Sequence, residues 1–148
     1  MSQLIDARGP RFGAAVTSLV LATAFLLPGS ATATALLILQ AAAFGAAAFF
    51  GIKYQPYGRL FARFVAPRLA PATQFEAPEP PRFAQLVGFG FAIAALAGVA
   101  LGSSIVTATA VGFALLAALM NAVFAFCLGC EIYLLARRLA PANALAGQ

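Results

Sequence analysis

Four apolar runs, at residues 12–27, 33–52, 83–101 and 108–136, hold between them one charged side chain, Glu131. A helix needs about 20 apolar residues to cross a bilayer. The first run is slightly short of that and the fourth is long enough to cross and then project among the headgroups. The chain therefore reads as all-α, an integral-membrane four-helix bundle made of two helical hairpins. Charged residues are 9% and hydrophobic residues 63% of the chain, where a soluble domain carries about 25% charged residues. With 148 residues, the bundle takes up the chain as one domain.

The net charge of +5 does not point to nucleic acid, because no basic patch interleaved with aromatic residues stands on a soluble domain. The basic residues flank the apolar runs instead. Arg8 and Arg11 precede the first, Lys53, Arg59, Arg63, Arg68 and Arg82 occupy the connection 53–82, and Arg137 and Arg138 follow the last. The turns at 28–32 and 102–107 carry no charge. The positive-inside rule then predicts four spans with both termini and the connection cytoplasmic and both short turns outside. Pro28-Gly29-Ser30 followed by Ala31-Thr32-Ala33 also fits a signal-peptide end. We take the first run as a retained span.

The connection divides in two. Tyr57, Leu60, Phe61, Phe64 and Val65 recur at helical spacing after Pro56, with Arg59 and Arg63 on another side. This predicts a short amphipathic helix lying in the headgroup plane, with Arg59, Arg63, Phe61 and Phe64 as its lipid anchors. Residues 67–81, with five prolines, predict an extended, poorly ordered linker. Residues 1–11 predict a polar arm, and residues after Pro141 a disordered tail. Gly98 and Gly102 have the spacing of a close helix contact, and Gln40 needs a partner inside the bundle.

The two halves echo each other. Gly9-Pro10-Arg11-Phe12 opens one hairpin and Pro80-Pro81-Arg82-Phe83 the other. A shift of 78 residues sets Gly51 on Gly129 and Lys53 opposite Glu131, so a parallel repeat would let Lys53 neutralise that carboxylate.

The chemistry concentrates at Cys127, Cys130 and Glu131. On one continuous helix over 110–137, Cys130 lies about 60° to one side of Cys127 and Glu131 about 40° to the other. Asn121 falls roughly opposite Cys130, which predicts a partner apart from the cysteines. An acid in a membrane segment is costly unless it faces the bundle interior or the interface. Three chemistries fit: dithiol–disulfide exchange, sulfur relay through a persulfide, and soft-metal binding. Without His, two cysteines cannot complete a four-ligand zinc site in one protomer, so no metal or cofactor is predicted. The plain alternative is that the cysteines pack as small apolar residues and Glu131 snorkels to water. A reducing cytoplasm disfavours a permanent structural disulfide.

The segments Asp6-Ala7-Arg8-Gly9-Pro10-Arg11-Phe12 and Phe126-Cys127-Leu128-Gly129-Cys130-Glu131-Ile132-Tyr133 together resemble a bacterial membrane family, common in actinobacteria, catalogued as domain of unknown function 4395. The resemblance implies the same hairpin–loop–hairpin layout over nearly the whole chain. It supplies no catalytic residues. It implies thioredoxin-like or sulfurtransferase neighbours, hence thiol or sulfur handling. Ala7 and Glu131 depart from the family pattern, where Pro and an aromatic are expected.

The sequence thus predicts a membrane thiol site. Cys127 is the more buried resolving thiol, Cys130 the accessible one, and Glu131 a proton acceptor or salt-bridge partner. The expected partners are the lipid bilayer, a cytoplasmic thioredoxin-like or sulfurtransferase protein, and a second copy of the chain. A non-enzymatic scaffold or subunit is the alternative. A small-solute transporter is the third reading, weakened by the lack of a charge at mid-membrane.

Overall fold

A computed structural model describes residues 3–140. The expected tail after Pro141 lies outside the described residues. The order is β1 (Ile5–Asp6), α1 (Arg8–Leu26), α2 (Ala31–Gly45), α3 (Pro56–Leu60), β2 (Phe75–Glu76), α4 (Glu79–Ala100), α5 (Ser104–Phe124) and α6 (Leu128–Leu139). A wide helical turn, Ala46–Phe50, extends α2, and another, Phe61–Val65, extends α3. The fold is all-α apart from the short antiparallel pairing of Ile5 with Glu76 and Asp6 with Phe75.

Four helices are long and apolar enough to cross a membrane: Arg8–Leu26, Ala31–Phe50, Glu79–Ala100 and Ser104–Phe124. This is consistent with a multi-pass membrane protein. Leu19, Leu26, Phe113 and Leu116 point outward and are more than half exposed. In water that surface would cost roughly 25 cal/mol per Å²; acyl chains cover it without cost. The core between the helices is narrow and built from small residues, with Leu21, Leu37, Ala95, Ala110 and Val111 at its centre. Small residues let the helix backbones approach closely.

Local chemistry sets the helix ends. Ser30 and Ser103 are N-caps, accepting from the backbone N–H of Ala33 (3.0 Å) and Val106 (3.3 Å). Such caps satisfy N–H groups that have no partner within the helix. Gly29 and Gly102 turn the chain at φ 74° and 69°, a conformation open to glycine. Gly102 thus serves the turn, with open space beside its Cα, while Gly98 lets Thr107 pack against α4.

The repeat is present, in a register different from the expected one. Helices α1 and α4 begin 71 residues apart, α2 and α5 73 apart, and α3 and α6 72 apart. Two arginines hold the halves together crosswise. Arg11 at the start of α1 donates to Ala122 and Val123 carbonyls at the end of α5 (3.1 and 3.3 Å). Arg82 at the start of α4 donates to Ala48 and Phe49 carbonyls at the end of α2 (2.8 and 3.2 Å). Each guanidinium satisfies carbonyls that a helix C-terminus leaves open and meets the negative end of its dipole. Ring pairs repeat too: Phe12–Phe61 and Phe83–Tyr133 both have centroids 5.6 Å apart, tilted 42°.

These contacts gather both termini of the membrane-crossing bundle and the middle connection at one end. All nine basic and four acidic residues belong to segments at that end. Two expectations are corrected here. The polar arm is shorter than expected, because helix α1 already begins at Arg8, and Arg8 forms an ion pair with Asp6 (2.8 Å). Within the connection 67–81, Arg68 ends a helical turn and Glu79 already opens α4, and the stretch between is tied down where residues 75–76 pair with β1.

Candidate functional site

The fourth apolar run is not one helix. Helix α5 stops at Phe124, and Ala125 adopts the left-handed conformation at φ 55°. Arg11 has already taken the carbonyls of Ala122 and Val123. The chain then restarts as α6, with Cys127 as N-cap in an extended conformation. The continuous helix expected over 110–137 is therefore overturned, and with it the angular placement of the cysteines. The misleading signal was composition: nothing in Val123-Phe124-Ala125-Phe126 is a helix breaker, and the break coincides with the carbonyls that Arg11 binds from another helix.

The break puts both cysteines at the N-terminus of an amphipathic helix. Cys127 and Cys130 are joined by a disulfide, with Cα atoms 5.2 Å apart. The Cys127 Sγ accepts from the Cys130 backbone N–H at 3.3 Å. A helix N-terminus favours negative charge, so opening the disulfide leaves a Cys127 thiolate in a stabilising field. Glu131 lies in the first turn of α6 and Arg137 and Arg138 in its last, the arrangement that suits the helix dipole.

Helix α6 is fixed against α4 by two contacts. Gly129 packs directly on Ala84; a Cβ on Gly129 would stand 2.6 Å from the Ala84 Cβ. Tyr133 packs on Phe83, and Arg137 lies over the Tyr133 ring at 5.9 Å. The opposite side of α6 stays open, so both cysteines are half-buried.

Two cavities meet at the disulfide. One, about 520 Å³, has Arg8, Arg11, Glu76, Asn121, Glu131 and both cysteines on its walls. It is the polar, charged-end side of the site. Burial pushes the pKa of the Glu76 carboxyl, on the wall of the same cavity, up from its ordinary value. Asp6 nearby is held below the usual carboxylate range by hydrogen bonds from Arg8. The other cavity, about 260 Å³, is apolar. Cys127 lines both, Cys130 only the polar one.

Several sequence-level placements change. Asn121, expected to lie apart from the cysteines, lines both cavities with Cys127. Lys53 does not face Glu131. The true register sets Glu131 against Arg59, and the Lys53 Nζ lies 5.1 Å from the Tyr54 ring centroid. Glu131 keeps its place on the wall of the polar cavity, with its side chain exposed.

Among the four residues expected to meet lipid headgroups, Phe61 turns inward onto Phe12 and is 5% exposed, while Phe64 is 51% exposed. The Arg63 guanidinium lies over Phe64 at 5.7 Å, and Arg59 lines a separate cavity with Asp6. Glu76, Arg8, Arg11 and Asn121 were not anticipated at the cysteines. Only the Arg11/Arg82 correspondence in the sequence carried a hint of them. Among the described residues no group of three or more His, Cys, Asp or Glu side chains is placed to hold a metal ion.

A family model described as Domain of unknown function (DUF4395) matches residues 5–138. No curated protein and no solved structure matches the chain.

Proposed function

The chain belongs to the DUF4395 family, and from that premise we propose that it is a membrane thiol–disulfide exchange protein working through Cys127 and Cys130. One observation carries this reading: a closed Cys127–Cys130 pair at the N-terminus of α6, on the wall of a cavity lined by charged groups. A pair serving only as packing has no need of a polar cavity beside it.

The exchange runs as follows. A thiolate of the partner attacks the Cys130 Sγ in the polar cavity. The Cys127–Cys130 bond breaks, and Cys127 leaves as a thiolate stabilised by the helix N-terminus. A lower-pKa sulfur is the better leaving group. A second partner thiol then attacks the partner's sulfur in the mixed disulfide, and Cys130 is released. The partner ends oxidised and the Cys127/Cys130 pair reduced. Glu76 and Glu131 receive and return the thiol protons. The partner is a thioredoxin-like or sulfurtransferase protein approaching the charged end. By the positive-inside rule that end is cytoplasmic in a bacterial inner membrane.

Labelling with a membrane-impermeant maleimide tests this in sealed vesicles of either orientation. The expected result is two labelled sulfurs per chain, after reduction only, and only with the charged end outward. Labelling without prior reduction, or no labelling after it, would refute the reading.

A further inference from the structure

The two halves of the repeat differ in what fills the space beneath α3 and α6. In the first half Tyr57 donates to the Gln40 Oε1 (3.0 Å), and the Gln40 Nε2 donates to the Thr17 Oγ1 (3.2 Å). This buried chain fills the space beneath α3; Gln40 is 0% exposed. The helix starts set Tyr57 on Gly129 and Thr17 on Gly88, and the carbonyls bound by Arg82 (Ala48, Phe49) and Arg11 (Ala122, Val123), 74 positions apart, set Gln40 on Ala114. These three counterparts are small and none carries a side-chain hydrogen-bonding group. They are walls of the 260 Å³ apolar cavity beneath Cys127. The cavity is therefore what remains when the polar filling of the first half is removed.

Three further observations define an occupant. First, the cavity reaches Phe113 and Ile132, which are 58% and 52% exposed on the apolar flank of the bundle, so one side of it lies beside surface that acyl chains would cover. Second, two amides, Asn121 and Gln85, stand on its walls; Gln85 also lines the neighbouring cavity that holds Asp6 and Arg59, and its Oε1 is buried without a hydrogen-bond partner. Such a group in a native protein calls for an explanation, and an acyl chain would not satisfy it. Third, Cys127 lines this cavity as well as the polar one.

We propose that this cavity receives the ring of a lipid-soluble quinone, which takes the electron pair from the reduced Cys127/Cys130 dithiol. The inference rests on the exchange reading above and names the second substrate of the same site. A volume near 260 Å³ is at the small end for a ligand pocket and suits a single ring whose tail leaves between Phe113 and Ile132.

The Cys127 thiolate adds to a ring carbon, forming a C–S bond, and the electron pair moves to a ring oxygen, which is protonated. The Cys130 thiolate then attacks the Cys127 sulfur. The S–S bond forms, the C–S bond breaks, and its electron pair returns to the ring, which takes a second proton. The two thiol protons end on the quinol oxygens. The dithiol is oxidised by two electrons and the quinone reduced by two. Asn121 donates to the quinone oxygen, and the Gln85 Oε1 accepts from the quinol hydroxyl.

The test mixes the reduced full-length protein in nanodiscs, without oxygen, with decyl-ubiquinone or menadione, and follows quinone absorbance and disulfide formation. The expected result is one quinol per disulfide, at a rate that saturates with quinone concentration. An Ala118→Leu variant, which adds bulk to the cavity wall, is expected to lose saturation and react at least tenfold more slowly at low quinone. A strictly linear dependence on quinone in the unaltered protein marks unassisted thiol oxidation and overturns the site. Glutathione disulfide is run in parallel. Oxidation by it without a saturable quinone reaction overturns the quinone site alone, whereas failure of both overturns the exchange reading as well.

Discussion

A Cys127→Ser variant mixed with an oxidised partner is expected to stop at a mixed disulfide, the Cys130 thiolate having opened the partner's disulfide, and turnover is expected to fall to background. In the closed pair, Cys130 faces only the polar cavity, and Cys127 is the sulfur at the helix N-terminus. The partner therefore bonds to Cys130. In this reverse direction, where the Cys130 thiolate has opened the partner's disulfide, release of the partner by the Cys127 thiolate is intramolecular, and well-oriented intramolecular attack reaches effective molarities of about 10⁵ M or more. No external thiol at millimolar concentration replaces it. The Cys130→Ser variant also loses turnover but is expected to trap less partner, because Cys127 is shared with the apolar cavity. Non-reducing electrophoresis of the two variants with a thioredoxin-like protein reads the difference directly. Equal trapping by both would contradict the assigned roles.

Gly129→Val is expected to lift α6 off α4. An added Cβ would lie 2.6 Å from the Ala84 Cβ and 2.7 Å from its Cα. The obstacle is backbone and cannot swing away as a long side chain would. Overpacking of this kind costs about 1–3 kcal/mol, and here the displaced element carries both cysteines. Thermal unfolding in detergent should fall, and the two thiols should react with maleimide at diverging rates. The first half of the repeat suggests the rescue. There the larger residue, Tyr57, faces Gly13 on α1, with 3.8 Å between the Tyr57 Cβ and a Cβ placed on Gly13. Adding Ala84→Gly to Gly129→Val should recover part of the stability. An unchanged melting temperature in the single variant would show that α6 is not held at this contact.

The sequence was informative where one physical cause acts along a continuous segment. Length and apolar content placed the four crossing helices, and clustered Arg and Lys residues placed the charged end. The Pro-Arg-Phe echo at Pro10-Arg11-Phe12 and Pro81-Arg82-Phe83 disclosed the repeat. The site was only half legible, because its geometry goes with a contact between residues 111 positions apart. Arg11 binds the last carbonyls of α5 where that helix breaks, and no property of residues 110–137 alone records this. One continuous helix gave the wrong angular position for Asn121 and hid the N-terminal placement of Cys127. The repeat offset of 78 came from matching two glycines, Gly51 and Gly129. Those glycines do different work: Gly51 turns the chain at φ 118°, while Gly129 makes a close helix contact. The second cavity was illegible for a related reason. Gly88, Ala114 and Gly129 look like ordinary membrane-helix residues until the register sets them against Thr17, Gln40 and Tyr57.

Titration of the Cys127/Cys130 pair against graded ratios of reduced and oxidised dithiothreitol and glutathione, with thiols trapped by alkylation at each ratio, measures whether the pair exchanges at all. A helix N-terminus that stabilises the Cys127 thiolate stabilises the reduced form, so the midpoint is expected above roughly −300 mV, as a single two-electron transition. A pair that stays closed well below that value, or that never closes in oxidised glutathione, would contradict it.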